Sequence, residues 1–68
     1  MSSNNIILIF GKKKFRGYDV SSEYVGSEKE IDRFKPDFEA KSLLEAIRRA
    51  QNYMTENIVE YGFTFVDL

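Results

Sequence analysis

Apolar and polar positions change rhythm several times along the chain, and each rhythm predicts an element. Ile6-Ile7-Leu8-Ile9-Phe10 is an unbroken apolar run rich in β-branched side chains, which suits a strand covered on both faces. From Arg16 onward Tyr18, Val20 and Tyr24 share one parity and Asp19, Ser21 and Glu23 the other, predicting a second, half-buried strand. Phe15 has the opposite parity to Tyr18, so a bulge at Gly17 is expected to bring both aromatics to the core. Gly11 and the lysines after it form the hairpin connection, and Gly26 to Lys29 reads as a loop. Phe34 to Lys41 then alternates strictly, apolar at even positions and charged at odd ones, which predicts a third strand with one wet face. Pro36 cannot donate to a ladder, so that strand belongs at a sheet edge.

Ser42-Leu43-Leu44-Glu45 fits a capping box, serine bonding forward and glutamate bonding back. Leu43, Leu44, Ile47, Ala50, Met54 and Ile58 follow at helical spacing as one apolar stripe, with Glu45, Arg49, Asn52 and Glu56 opposite. The helix is expected to stop near Glu60 or Tyr61, with Gly62 as a left-handed terminator. Phe63 to Leu68 is the final strand. The order βββαβ has two hairpins and one helical crossover, which makes the first, third and fourth strands mutually parallel. The fold class expected is α+β, a four-stranded mixed sheet in the order 3-2-1-4 with one helix on one face.

Composition narrows what such a domain can do. At 68 residues it is a single domain, residues 1–68, and a chain of this size buries only about 60% of the surface its unfolded form exposes. No cysteine and no histidine are present, which excludes a disulfide framework, a thiol nucleophile and the commonest general base. Zinc would have only carboxylates to hold it, and Glu28, Glu30 and Asp32 lack the glycine and terminal glutamate of an EF-hand loop. The six serines have no base in a recognisable motif, and the Asp19 and Glu23 carboxylates fall on the wet side of their strand. The reading is therefore non-enzymatic, with no catalytic residue, no metal and no cofactor. The polar start Met1 to Asn5 and the five-residue apolar run after it are too short for a secretion signal or a membrane span. A cytoplasmic protein without membrane contact is expected.

Ten basic residues against eleven acidic ones leave a net charge of -1, unlike a general nucleic-acid binder. The charge is segregated, with Lys12, Lys13, Lys14 and Arg16 on one stretch and Asp19, Glu23, Glu28, Glu30 and Asp32 on the next. Lys12, Lys13, Lys14 and Arg16 beside Phe15 are the candidate nucleic-acid contacts, a positive loop next to a ring able to stack on a base. A solubilising hairpin tip is the simpler explanation and is preferred. One helix covers one face of the sheet, yet the first and last strands are apolar on both parities. A homodimer or partner contact on the second face, or at the edge of the fourth strand, would use that surplus. Tyr18, Tyr24, Phe63 and Phe65 are the candidate protein-binding residues, tyrosine being favoured at interfaces.

Ser42-Leu43-Leu44-Glu45-Ala46-Ile47-Arg48-Arg49-Ala50-Gln51 resembles the segment that opens the helix of the HicB-like antitoxin family, and Gly17-Tyr18-Asp19-Val20 is similar to that family's second strand. The resemblance covers two strands and the helix. It implies three antiparallel strands, a helix and a further strand, and a protein that neutralises a small toxin ribonuclease, often as a dimer formed through its sheets. The family's turn ahead of the third strand is absent, and no helix-turn-helix or ribbon segment is recognisable, so operator binding is not expected. The leading expectation is a small protein-binding module of inhibitor or antitoxin type acting through a sheet edge or face on another protein or on itself. The alternative is a small RNA-binding domain using Lys12 to Arg16.

Overall fold

The computed structural model describes residues 4–24 and 26–66. Their elements are β1 (Asn5–Phe10), β2 (Phe15–Ser21), α1 (Glu28–Ile31), β3 (Phe38–Ala40), α2 (Leu43–Glu56) and β4 (Phe63–Val66). They form one four-stranded sheet in the order β3-β2-β1-β4. β1 pairs antiparallel with β2 and parallel with β4, and β2 pairs antiparallel with β3. The α+β class, the mixed sheet and its 3-2-1-4 order are therefore as the sequence predicts, with α2 packed on one face. The expected structure of Asp67 and Leu68, and of Met1 to Ser3, lies outside the described residues.

β1 occupies the centre and is buried from both sides. Ile7 and Ile9 enter the core beneath α2 with Phe15, Ala40, Ala46 and Ala50. Leu8 and Phe10 point to the other face, where Phe10 and Tyr18 meet edge to face at 6.0 Å and Ile31 closes over them. Two cores on one sheet explain the opposite parities of Phe15 and Tyr18. The ladder runs Phe10–Arg16, Ile9–Gly17, Leu8–Tyr18 in regular register, so no bulge is needed at Gly17 and each aromatic serves its own face. Gly17 is required for another reason: a Cβ there would lie 2.1 Å from the Phe38 ring.

Several boundaries differ from the sequence expectation. The segment read as a loop contains α1, whose N-cap Ser27 accepts the Glu30 N–H through its side chain at 3.4 Å. The third strand is three residues long rather than eight. The backbone of Asp37 still bonds to Gly17, its N–H donating to the carbonyl at 2.8 Å, but Pro36 has no N–H to extend the ladder, and Phe34 stands out at 61% exposure. β2 ends at Ser21, and Tyr24 belongs to the turn after it, its N–H donating to the Ser21 carbonyl at 2.9 Å.

α2 begins where expected, with the Ser42 hydroxyl accepting the Glu45 N–H at 3.1 Å and Glu45 Oε1 accepting the Lys41 N–H at 3.1 Å. It ends earlier, at Glu56. Asn57 turns to extended backbone and directs both its backbone N–H and its Nδ2 to the Tyr53 carbonyl, closing the last turn. Gly62 does adopt a positive φ of 72°, but as the turn into β4. The buried face is also rotated from the predicted stripe. Ala46 and Ala50 press on the sheet, flanked by Tyr53 and Met54, while Leu43, Leu44 and Ile58 are 47%, 67% and 81% exposed. Small residues at the contact line let the helix approach closely, which a leucine row would prevent.

Gly17→Ala tests the close approach of Phe38. Displacing the ring is expected to cost about 1–3 kcal/mol, read as a lower urea midpoint with an unchanged slope.

Candidate functional site

The two edges of the sheet differ in how they meet solvent. β3 is short, lies beside Pro36 and carries Glu39, with Asp37 and Lys41 flanking it; each of these features discourages strand pairing. β4, four residues long, differs in composition: Phe63-Thr64-Phe65-Val66 contains no charge and no proline, and Asp67 is the one charge next to it in sequence. Its inner side pairs with β1 from Ile7–Phe63 to Phe10–Val66, and its outer side meets no strand among the described residues.

Side chains on β4 reinforce this edge. Phe63 and Phe65 lie on the α2 face, edge to face at 6.0 Å, and Phe65 meets Phe15 in the same geometry at 6.0 Å. The three rings form a row leading from the core toward the rim, and the two on β4 remain half-buried. Thr64 is exposed on the other face. α2 lies chiefly over β3 and β2, and the Phe63 and Phe65 rings of β4 pack against the first core, as does Val59.

The tyrosines singled out from the sequence occupy the opposite face. Tyr18 is buried in the second core, and burial raises its hydroxyl pKa, partly offset by Arg16. Tyr24 is half-buried and lines an open groove of about 330 Å³ with Val20, Ile31 and Phe34. Its hydroxyl is buried without a hydrogen-bond partner among the described residues, packed so close to Gly26 that a Cβ there would lie 2.0 Å away. Tyr18 and Tyr24 are thus brought together, and Phe63 and Phe65 are brought together, on different faces.

The basic stretch is divided. Lys12, Lys13 and Lys14 are exposed in the β1–β2 connection, and Lys14 Nζ lies 3.4 Å from Glu39. Arg16 points to the second face, where it bonds to Asp32 and, at 2.7 Å, to Glu28. Burial works to lower its pKa, but the charge of Asp32, helped by Tyr18 and Glu28, holds it above the ordinary arginine value. Arg16 therefore fastens α1 to the sheet. Phe15 is only 4% exposed, so its ring is not presented beside the lysines.

Sequence reasoning did not find the polar cluster at the far end of the sheet. Asp19, expected on a wet face, accepts hydrogen bonds from the Tyr53 hydroxyl at 2.7 Å and from Asn5 Nδ2 at 2.8 Å. Asn5 Nδ2 also donates to the Ile58 carbonyl, and Asn5 Oδ1 accepts the Glu60 N–H. The Asp19 N–H donates to Asp37 Oδ2 at 2.7 Å. This cluster joins the start of β1 and the end of α2 to β2 and holds the α2–β4 connection in place. Burial first, then the bond to Asp19 and the charges of Asp37 and Asp19, push the Tyr53 pKa well above its usual range.

Among the described residues no helix is long and apolar enough to cross a membrane, and no group of three or more carboxylates is arranged to hold a metal ion. Comparison with protein-family models, curated proteins and solved structures finds no match.

Two tests follow from these contacts. Arg16→Met should speed hydrogen exchange across residues 28–32 and cost under about 1 kcal/mol globally, since the carboxylates it releases are half exposed to screening solvent. Tyr53 and Tyr18 hold their protons more tightly when folded, so above about pH 10 the unfolded chain binds fewer protons and stability must fall as pH rises. Tyr53→Phe should flatten this alkaline limb in urea melts while lowering neutral-pH stability by about 1 kcal/mol for the lost hydrogen bond.

Proposed function

We propose that this chain is a small non-enzymatic binding module, of inhibitor or antitoxin type, that engages protein by adding a strand at the outer edge of β4. The contrast between the two sheet edges carries this reading: β3 carries Glu39 and follows Pro36 and Asp37, whereas the four residues of β4 are uncharged and two of them are aromatic. Main-chain hydrogen bonds from an added strand would supply affinity, and the half-buried Phe63 and Phe65 would supply apolar contact on the α2 side. The likeness of the α2 and β2 segments to HicB-like antitoxins points the same way. A cytoplasmic setting accords with a chain free of cysteine.

A second copy is a suitable occupant of the same edge. Residues directly opposed in an antiparallel pair share a face, so a two-fold axis at Thr64 sets Phe63 against Phe65 of the second copy and keeps all four rings on the α2 side. The alternative, an RNA contact at Lys12 to Arg16, has less support. Phe15 is buried and Arg16 is occupied by Glu28 and Asp32, which leaves a lysine loop without a stacking ring or a paired guanidinium.

Thr64→Lys places a charge on the exposed face of the edge strand and leaves the core untouched. The wild-type chain is expected to dimerise or to retain a protein in light scattering and pull-down from its native host, and Thr64→Lys to lose that complex with an unchanged far-UV spectrum. A strictly monomeric wild type that recovers no protein would reject the proposal.

A further inference from the structure

The cover over the second face is joined to the sheet by side chains rather than by backbone. Ser22 and Asp37 fix the chain on either side of it, their N–H groups donating to the Asn4 carbonyl at 2.7 Å and the Gly17 carbonyl at 2.8 Å. Between them, the backbone bonds of residues 26–36 stay inside the segment, from Ile31 to Ser27, Asp32 to Glu28, Arg33 to Glu30 and Phe34 to Ile31. Among the described residues, its polar contacts with the rest of the fold are the two that Arg16 makes with Glu28 and Asp32. Ile31 is the only buried side chain of the segment, set against Phe10 and Tyr18. Even this contact is incomplete, because a recess of about 330 Å³ lies between Ile31 and Phe34 on one side and Tyr18 and Val20 on the other. Closure also strands a donor, since the Tyr24 hydroxyl is buried close to Gly26 without a partner among the described residues.

We infer that residues 26–36 form a flap, latched by Arg16 and plugged by Ile31, that leaves the sheet as one unit while the four strands stay paired. A region held by few buried contacts opens well below the free energy of global unfolding. No ladder bond has to break, because the strand pairs β1–β2 and β2–β3 lie outside the segment. Opening gives up the burial of one isoleucine and two ion pairs with half-exposed carboxylates, and it returns water to the Tyr24 hydroxyl, which a closed flap leaves unsatisfied. It uncovers Phe10 and Tyr18 with Leu8, Val20 and Val66 beside them. The second face is therefore an apolar surface kept out of reach until the latch releases, whereas the β4 edge stands open. Salt acts on this latch directly, since screening weakens ion pairs that solvent can reach.

The test is native-state hydrogen exchange, read by NMR in low urea. A single helical turn does not survive away from the sheet, so the Ile31, Asp32, Arg33 and Phe34 amides exchange when the flap opens. All four should share one rate, at least about tenfold above that of the Ile7 and Ile9 amides in β1, and one urea slope shallower than that of global unfolding. Raising salt should speed the four several-fold. Ile31→Val should speed them by one common factor, and Arg16→Met should speed them while removing the salt effect. Arg48→Gly, at an exposed position on α2, lowers global stability through helix propensity; it should speed Ile7 and Ile9 and leave the four flap amides unchanged. Flap amides that exchange only as fast as Ile7, or that follow Arg48→Gly, open by global unfolding and overturn the inference. Unequal responses of the four to urea or to Ile31→Val, or rates indifferent to salt, overturn it as well.

Discussion

β1 is apolar on both parities and sits second from one end of its sheet, so both faces of that sheet must be shielded from water by a chain with a single helix of ordinary length. Burying Ile7 and Ile9 uses α2. Burying Leu8, Phe10 and Tyr18 uses the segment between β2 and β3, folded as the one-turn helix α1 with Ile31 as its plug. A four-residue helix has no stability of its own. It persists because Ile31 is fully buried beneath it and because Arg16, rising from β2, reaches Glu28 and Asp32 from below. The second core is therefore a tertiary construction that depends on one side chain and one ion-paired guanidinium.

Economy of this kind shapes the first core too. Alanines at 46 and 50 bring α2 close to the sheet, and Gly17 opens the space into which Phe38 settles against Tyr53, ring centroids 6.4 Å apart. Tyr53 then continues past the apolar layer to Asp19, and Asp19 to Asn5. The polar cluster thus begins where the apolar contact ends, tying the C-terminal turn of α2 and the connection beyond it to the sheet. Ile58 can stay exposed in that connection because Asn5 holds its backbone.

Regular alternation made the strands and their order legible, and the capping box at Ser42 fixed the start of α2. The misreadings share a cause, which is that long-range contacts overrode a local pattern. Alternation from Phe34 to Lys41 suits a strand, but Pro36 and the need to close α1 over β1 remove its first half from the ladder. α1 itself had a local signal, since Ser27-Glu28-Lys29-Glu30 has the same serine-to-glutamate spacing as the box at Ser42. The leucines at 43 and 44 match the helical stripe equally well as core or surface, and only the size of Ala46 and Ala50 favours rotating them out. For the candidate surfaces, the bare edge of β4 follows from strand order and composition alone. The capture of Arg16 by α1 and the role of Asn5 do not, because their partners lie far away in the chain.

Capture of Arg16 also sharpens the charge asymmetry of the molecule. With Arg16 neutralised by α1, Lys14 shares a recess with Lys41 and Arg49 beside the first half of α2, while Glu56 lies in the last turn of that helix and Glu60 just beyond. A helix is stabilised by the reverse arrangement, acidic side chains at its N-terminus and basic ones at its C-terminus, by about 0.3–1 kcal/mol for each charge. In α2 the terminal acid Glu56 adds to the helix dipole, no basic residue stands in the last turn, and the single first-turn acid, Glu45, is committed to the capping box. A net charge near zero gives little long-range attraction to any partner. The layout thus sacrifices some helix stability, and α2 is held instead by its capping box, by the contact of Ala46 and Ala50 with the sheet and by the bond from Tyr53 to Asp19.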